Sequence, residues 1–249
     1  MTDIKNNELE QAAVVSEELI RKVDKESDYR VLTGFFAKIV SAIAITFSVF
    51  QIYTAAFGTL DAMLQRAIHL AFALCLIFLL YPARSTWSRD RVHPIDAVFS
   101  ILGAAAPLYI VVFYKDLVMR AGLVTTADYI VGVIAILLIL EADRRVVGLP
   151  MVCVAIAFMV YALLGRKIPG AFAHRGVDIP TLVQHLFFTT EGIFGIPLGV
   201  SSTFIFLFIL FGAFLEKTGL GQLFIDLSNA VAGWAAGGPA KVAVIASAL

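Results

Sequence analysis

Residues 39–58 read IVSAIAITFSVFQIYTAAFG, from Ile39 to Gly58, without a single charged side chain. A helix needs about 17–25 apolar residues to cross the hydrocarbon core of a bilayer, and this run meets that requirement on its own. Lys38 stands at its entry and Tyr53 near its exit. The rest of the chain is built in the same way. Of its 249 residues 60% are hydrophobic and 15% charged, and the mean hydropathy is +0.89. A soluble protein of this length needs more polar surface to cover its core. The fold class expected is therefore all-α, a polytopic transmembrane helical bundle.

Working outward, the apolar runs define about six spans with interfacial helices between them. Leu64 to Tyr81 carries Arg66 and His69 near one end. Ile95 to Tyr114 follows Pro94 and contains Pro107, which removes a backbone hydrogen bond and predicts a kink. Tyr129 to Leu140 is short, but the helix can continue through Glu141, Asp143, Arg144 and Arg145 to Val147, since long arginines near a helix end reach the interface. Gly148 and Pro150 supply a stop and a restart. Met151 to Gly165 is a short fifth span, and Arg166 to Thr181 reads as a loop. The mixture from Leu182 to Phe194 suits an interfacial helix better than a span. Ile196 to Leu215 is the sixth span, and Leu220 to Ala232 reads as a further amphipathic helix.

Met1 to Arg30 is mixed in charge and lacks the order of a secretory signal. It reads as a cytosolic polar tail extending to residue 34, with a short amphipathic helix as the alternative. At the other end, Ala240 to Leu249 is apolar and stops after about ten residues, too few to cross a bilayer. The expectation is an N-terminal fragment of a longer membrane protein. Lysine and arginine in the short loops set orientation. Arg84, Arg89, Arg91, Arg144 and Arg145 fall on one side, which puts the N-terminus in the cytoplasm. The loop bearing Arg166, Lys167 and Arg175 then faces outward against the rule.

The 19 basic and 19 acidic residues balance, so nothing points to nucleic acid. The two cysteines, Cys75 and Cys153, lie in apolar runs, and no disulfide framework is expected. There is no P-loop, dinucleotide fingerprint, nucleophile elbow or paired-cysteine motif, so no catalytic residue is assigned and the chain does not itself consume ATP. The four histidines, His69, His93, His174 and His185, are too scattered for a metal site. Arg66, His69 and Asp96 read first as interface anchors at span ends. Glu141, Asp143, Arg144 and Arg145 form a charged group that either neutralises itself or bridges two parts of the protein, with an ion pathway as the minority reading. Gly192, Gly195 and Gly199 with Pro197 put small residues and a helix breaker before a span. Such a pattern marks either tight packing at a helix start or, in transporters, backbone lining a polar cavity. Phe204, Phe208 and Phe211 share a face and read as packing, and Gly233, Gly237 and Gly238 around Trp234 read as a turn.

Several runs resemble the fused permeases of TRAP transporters. They are Ala173-His174-Arg175-Gly176, the stretch from Leu186-Phe187-Phe188-Thr189-Thr190-Glu191-Gly192 through Ile193-Phe194-Gly195-Ile196-Pro197-Leu198-Gly199-Val200, Phe211 to Gly219, and Gly237 to Ala243. Leu140 to Arg145 is also similar, with Asp143 where the family commonly has Thr. The resemblance runs from about residue 95 to the end. It implies a region over 35–147 like the small permease subunit, and the start of the large transport domain over 148–249. It further implies secondary import of an organic acid, coupled to Na⁺ and fed by a periplasmic binding protein of the TAXI type, in the bacterial inner membrane. The Ser- and Gly-rich hairpin at the core of the family's ion and substrate site should start after Leu249. Within the chain, Thr189, Thr190, Glu191 and Gly192 are the expected substrate or ion pathway residues, and Gly195, Pro197 and Gly199 the packing or hinge residues. A non-catalytic membrane scaffold or inactive fragment is the alternative.

Overall fold

The computed structural model describes residues 29–84, 87, 89–120, 123–232, 234, 240–242 and 244. The possible amphipathic helix of the tail and the turn at Gly233, Gly237 and Gly238 lie outside the described residues. Those described are helical or irregular, with no strand among them. Among the described residues five helices are long and apolar enough to cross a membrane.

The chain divides into two compact units, Met1–Gly199 and Val200–Leu249. The first contains α1 (Gly34–Phe57), α2 (Ala62–Leu80), α3 (Pro94–Val112), α4 (Tyr114–Met119), α5 (Thr126–Val146), α6 (Leu149–Leu164) and α7 (Ile179–Phe187). Several of them begin at a local chemical signal. The Asp61 carboxylate accepts from the Met63 N–H to cap α2, and His93 with Pro94 opens α3. Pro fits a first helical turn because that N–H would be unpaired anyway. Thr125 and Asp128 form a reciprocal capping box at the start of α5, which satisfies two N-terminal amides at once. Gly148, at φ 122°, lets the chain leave α5 and re-enter helix as α6. The helix α3 runs unbroken through the buried Pro107. α5 is a 21-residue helix whose last turns carry the charged group, so it is the fourth membrane segment of the sequence reading but not among the five most apolar ones.

The core lies between α2, α3 and α5. Leu70, Leu74 and Phe78 meet Ala106 and Ile110 of α3 and Ala135, Leu138 and Ala142 of α5. Close approach needs small residues: a Cβ on Gly103 would stand 2.8 Å from the Phe78 ring.

The helix expected over Leu182 to Phe194 has other bounds in the structure. α7 starts earlier and ends at Phe187, and the chain then turns back on itself. Ile193 N–H donates to the Leu186 carbonyl at 2.8 Å. Phe187 and Phe194 are fully buried in the core, their ring centroids 5.4 Å apart. The reversal needs a residue without a side chain. A Cβ on Gly192 would lie 2.5 Å from the carbonyl oxygens of His185 and Leu186.

α8 (Ile196–Val200) carries the chain out of the first unit. In the second unit a π-helix over Ser201–Ile205 leads into α9 (Phe206–Thr218), and α10 (Leu220–Ala232) follows. Gly219 adopts φ 77°, the left-handed conformation that ends a helix. Phe204, Phe208 and Phe211 are exposed rather than packed.

Candidate functional site

The first unit has two chemically distinct ends. At the end marked by Leu80, Pro94 and Val146, charged groups converge under cover. Arg30 donates from Nη2 to Asp96 Oδ2 at 2.5 Å and from Nη1 to the Leu79 carbonyl at 3.1 Å. Arg145 takes the other carboxylate oxygen, Nη1 to Oδ1 at 2.8 Å, and also reaches the Tyr81 carbonyl at 3.0 Å. Its guanidinium lies 4.8 Å from the Phe78 ring centroid and 5.2 Å from that of Phe99. Glu141 joins Arg145 at 2.8 Å to Arg144 at 2.7 Å, and Arg144 extends to the Ala83 carbonyl at 3.0 Å. The charged group thus bridges parts of the protein, as one of its readings had it. Asp143 contributes its backbone carbonyl to the N–H groups of Val147 and Gly148. Arg30 of the segment read as polar tail is buried, and Asp96 is the hub of the bridge rather than an interface anchor.

Between α1 and α2, a polar cluster sits inside two spans. The Gln51 amide and His69 Nδ1 are 2.6 Å apart. Gln65 Nε2 donates to Gln51 Oε1 at 3.3 Å and to Thr54 Oγ1 at 3.2 Å. His69 is therefore a buried partner in a hydrogen-bond cluster, not an interface residue.

The opposite end holds a cavity of about 400 Å³ between the starts of α2 and α5, the end of α3, and α4 and α7. Asp61, Tyr114, Arg120 and Asp128 supply its charge and hydroxyl chemistry, and Thr189 and Thr190 close one side. Asp128 is fully engaged. Its Oδ1 accepts from the Tyr109 hydroxyl at 2.6 Å, and its Oδ2 from Thr125 Oγ1 at 2.6 Å, the Thr125 N–H at 2.9 Å and Arg120 Nη1 at 3.0 Å. Asp61 stays exposed. Hydrogen bonding to its carboxylate, with some desolvation, holds the Tyr114 phenol above its ordinary range.

Of the residues expected from sequence, the structure brings Thr189 and Thr190 to this cavity. Thr189 Oγ1 donates to the His185 carbonyl at 2.7 Å and accepts from the Glu191 N–H at 3.3 Å. Glu191 is exposed, its carboxylate 3.8 Å from His185 Nδ1, and is not part of the cavity wall. Gly192 packs on the backbone of α7. The Gly195 N–H closes a turn on the Gly192 carbonyl at 3.0 Å. Pro197 is exposed in the first turn of α8. Gly199 lies against the Arg66 guanidinium. Among the described residues there is no group of His, Cys, Asp and Glu able to hold a metal. The sequence reading missed Arg30, Gln51, Gln65 and the Tyr109–Arg120–Asp128 constellation. Only the last left a readable local sign, the Thr125-x-x-Asp128 capping pattern before an apolar run.

Helices of this length and apolarity, with their charge gathered at the ends or paired inside, define a multi-pass membrane protein. Residues 134–249 match the family model described as the DctM component of tripartite ATP-independent periplasmic (TRAP) transporters. The matched segment begins within α5 and covers just under half of the chain. No curated protein and no solved structure matches the chain.

Proposed function

We propose that this chain is the permease of a secondary active TRAP-type transporter, of the kind that fuses the small and large membrane subunits. It imports an organic acid delivered by an extracytoplasmic binding protein of the TAXI type, with Na⁺ as the coupling ion. The observation that carries this reading is the family match over a segment that includes the turn from Thr189 to Gly199. Two hydroxyl side chains of that turn, Thr189 and Thr190, border a cavity large enough for a small carboxylic acid.

Orientation follows from charge. The end with Arg84, Arg89, Arg91 and Arg144 faces the cytoplasm of a bacterial inner membrane, since short cytoplasmic loops collect Lys and Arg. The cavity and the Thr189–Gly199 turn then face the side from which a binding protein approaches. Glu191, exposed beside Thr190, belongs to that approach surface.

Cross-linking tests the reading. A chain with Cys75 and Cys153 replaced and carrying Thr190→Cys, fitted with a photoactivatable cross-linker, should capture the source organism's binding protein in membranes, more so when that protein is loaded with its substrate. If Thr190→Cys is labelled only from the cytoplasmic side and captures no binding protein, the scaffold reading replaces this one.

A further inference from the structure

We propose that Arg66 is a positioning residue that fixes the Thr189–Gly199 turn to helix α2. The proposal rests on the functional reading only in taking that turn to be the part that matters for transport; the contacts themselves do not depend on it.

Arg66 lies in the second turn of a membrane-spanning helix. A guanidinium there is costly unless it is partnered or reaches the interface. Among the described residues no carboxylate pairs with it. Instead Nη1 donates to the Phe194 carbonyl at 2.5 Å, across 128 residues of sequence. The Phe194 side chain points the other way, fully buried against Phe187. The residue is therefore held twice, by its ring in the core and by its carbonyl on Arg66.

A second contact involves the whole guanidinium. A Cβ on Gly199 would stand 2.8 Å from Arg66 Nη2 and 2.9 Å from both Cζ and Nε. Only a glycine allows the planar group to lie flat on the first turn of α8. Arginine suits the task because its rigid fork can donate to a carbonyl while its face covers a backbone; lysine offers a single point charge on a flexible stem. Ile193 and Leu198, on either side, pack against the core. Arg66 thus ties the region resembling the small subunit to a turn within the segment resembling the large one.

The competing role is interface anchoring, in which Arg66 merely reaches the headgroups. Labelling separates the two. The chain, freed of Cys75 and Cys153 and carrying Ile193→Cys, is reconstituted in lipid nanodiscs and treated with a polar maleimide; Arg91→Cys, exposed at the opposite end, is the control. Arg66→Met should raise the Ile193→Cys labelling rate about five- to tenfold, the scale of one hydrogen bond lost from an opening equilibrium. The control should not change. Arg66→Lys should fall between Met and wild type. Gly199→Ala should act like Arg66→Met, and the two together should do no more than either alone.

Anchoring alone predicts that lysine matches arginine and that Gly199→Ala is silent, and that result would overturn the proposal. An equal rise at Ile193→Cys and Arg91→Cys would also overturn it, because it would report loosening of the whole unit. None of these readouts requires transport, so failure of the functional reading leaves the test intact.

Discussion

Arg145 reaches back 49 residues to place its Nη1 2.8 Å from Asp96 Oδ1, with both side chains fully shielded from solvent. Arg30 occupies the other oxygen of the same carboxylate. One buried anion thus holds two buried cations, and removing it takes the carboxylate from Arg30 and leaves Arg145 with Glu141 alone. Asp96→Asn should destabilise the protein by about 3–5 kcal/mol, the usual cost of breaking a buried pair from one side. Thermal unfolding in detergent, followed by loss of monodisperse protein, measures this. Adding Arg30→Met should recover part of the loss, and a double variant no better than Asp96→Asn would mean that the two arginines are not competing for this carboxylate.

Gly192 belongs to the expected pathway residues, yet its surroundings give it a packing role. Its Cα presses on the last turn of α7, with the His185 and Leu186 carbonyls in the way of any side chain. Gly192→Ala should push the turn outward and cost about 1–3 kcal/mol, as overpacking does in well-filled interiors. Loss of the Ile193 N–H to Leu186 carbonyl bond should appear as faster amide exchange at Ile193. Unchanged exchange there, with normal stability, would contradict the packing role.

Gln51 serves two partners inside the bilayer-spanning part, with His69 on its amide and Gln65 on its carbonyl oxygen. Replacing it by Leu keeps the bulk and removes both bonds. Stability should fall by about 1–3 kcal/mol, because the partners left behind are buried and water does not take over the lost hydrogen bonds. Gln51→Asn, which keeps a donor and an acceptor and adds no charge, should be milder than Gln51→Leu by thermal denaturation. The opposite order would show that the cluster does not depend on these bonds.

The existence of the helices was legible because bilayer crossing imposes one demand, a long apolar run, that residues such as Ile39 to Gly58 meet without help from the fold. The start of α5 could be placed from Thr125 and Asp128, and the break at Gly148 and Pro150 stands where sequence put it. What escaped was pairing at a distance. Nothing near Arg30 says that it docks on Asp96, and Gln51 and Gln65 are isolated polar letters until α1 and α2 are laid side by side. The turn after Phe187 escaped for a related reason: the pattern from Leu182 to Phe194 satisfies an amphipathic helix, and only the contact between Gly192 and α7 stops it. The candidate site was half legible. Thr189 and Thr190 reach the cavity, Glu191 stands outside its wall, and Gly192 and Gly199 turn out to be contact glycines, one against backbone and one against Arg66.

The most direct measurement is uptake. The protein is reconstituted in proteoliposomes with the source organism's binding protein and a panel of radiolabelled organic acids. A transporter permease predicts accumulation of at least one acid only when both the binding protein and an inward Na⁺ gradient are present. Correctly folded protein that accumulates none of them under either Na⁺ or proton gradients would contradict the account and leave a membrane scaffold.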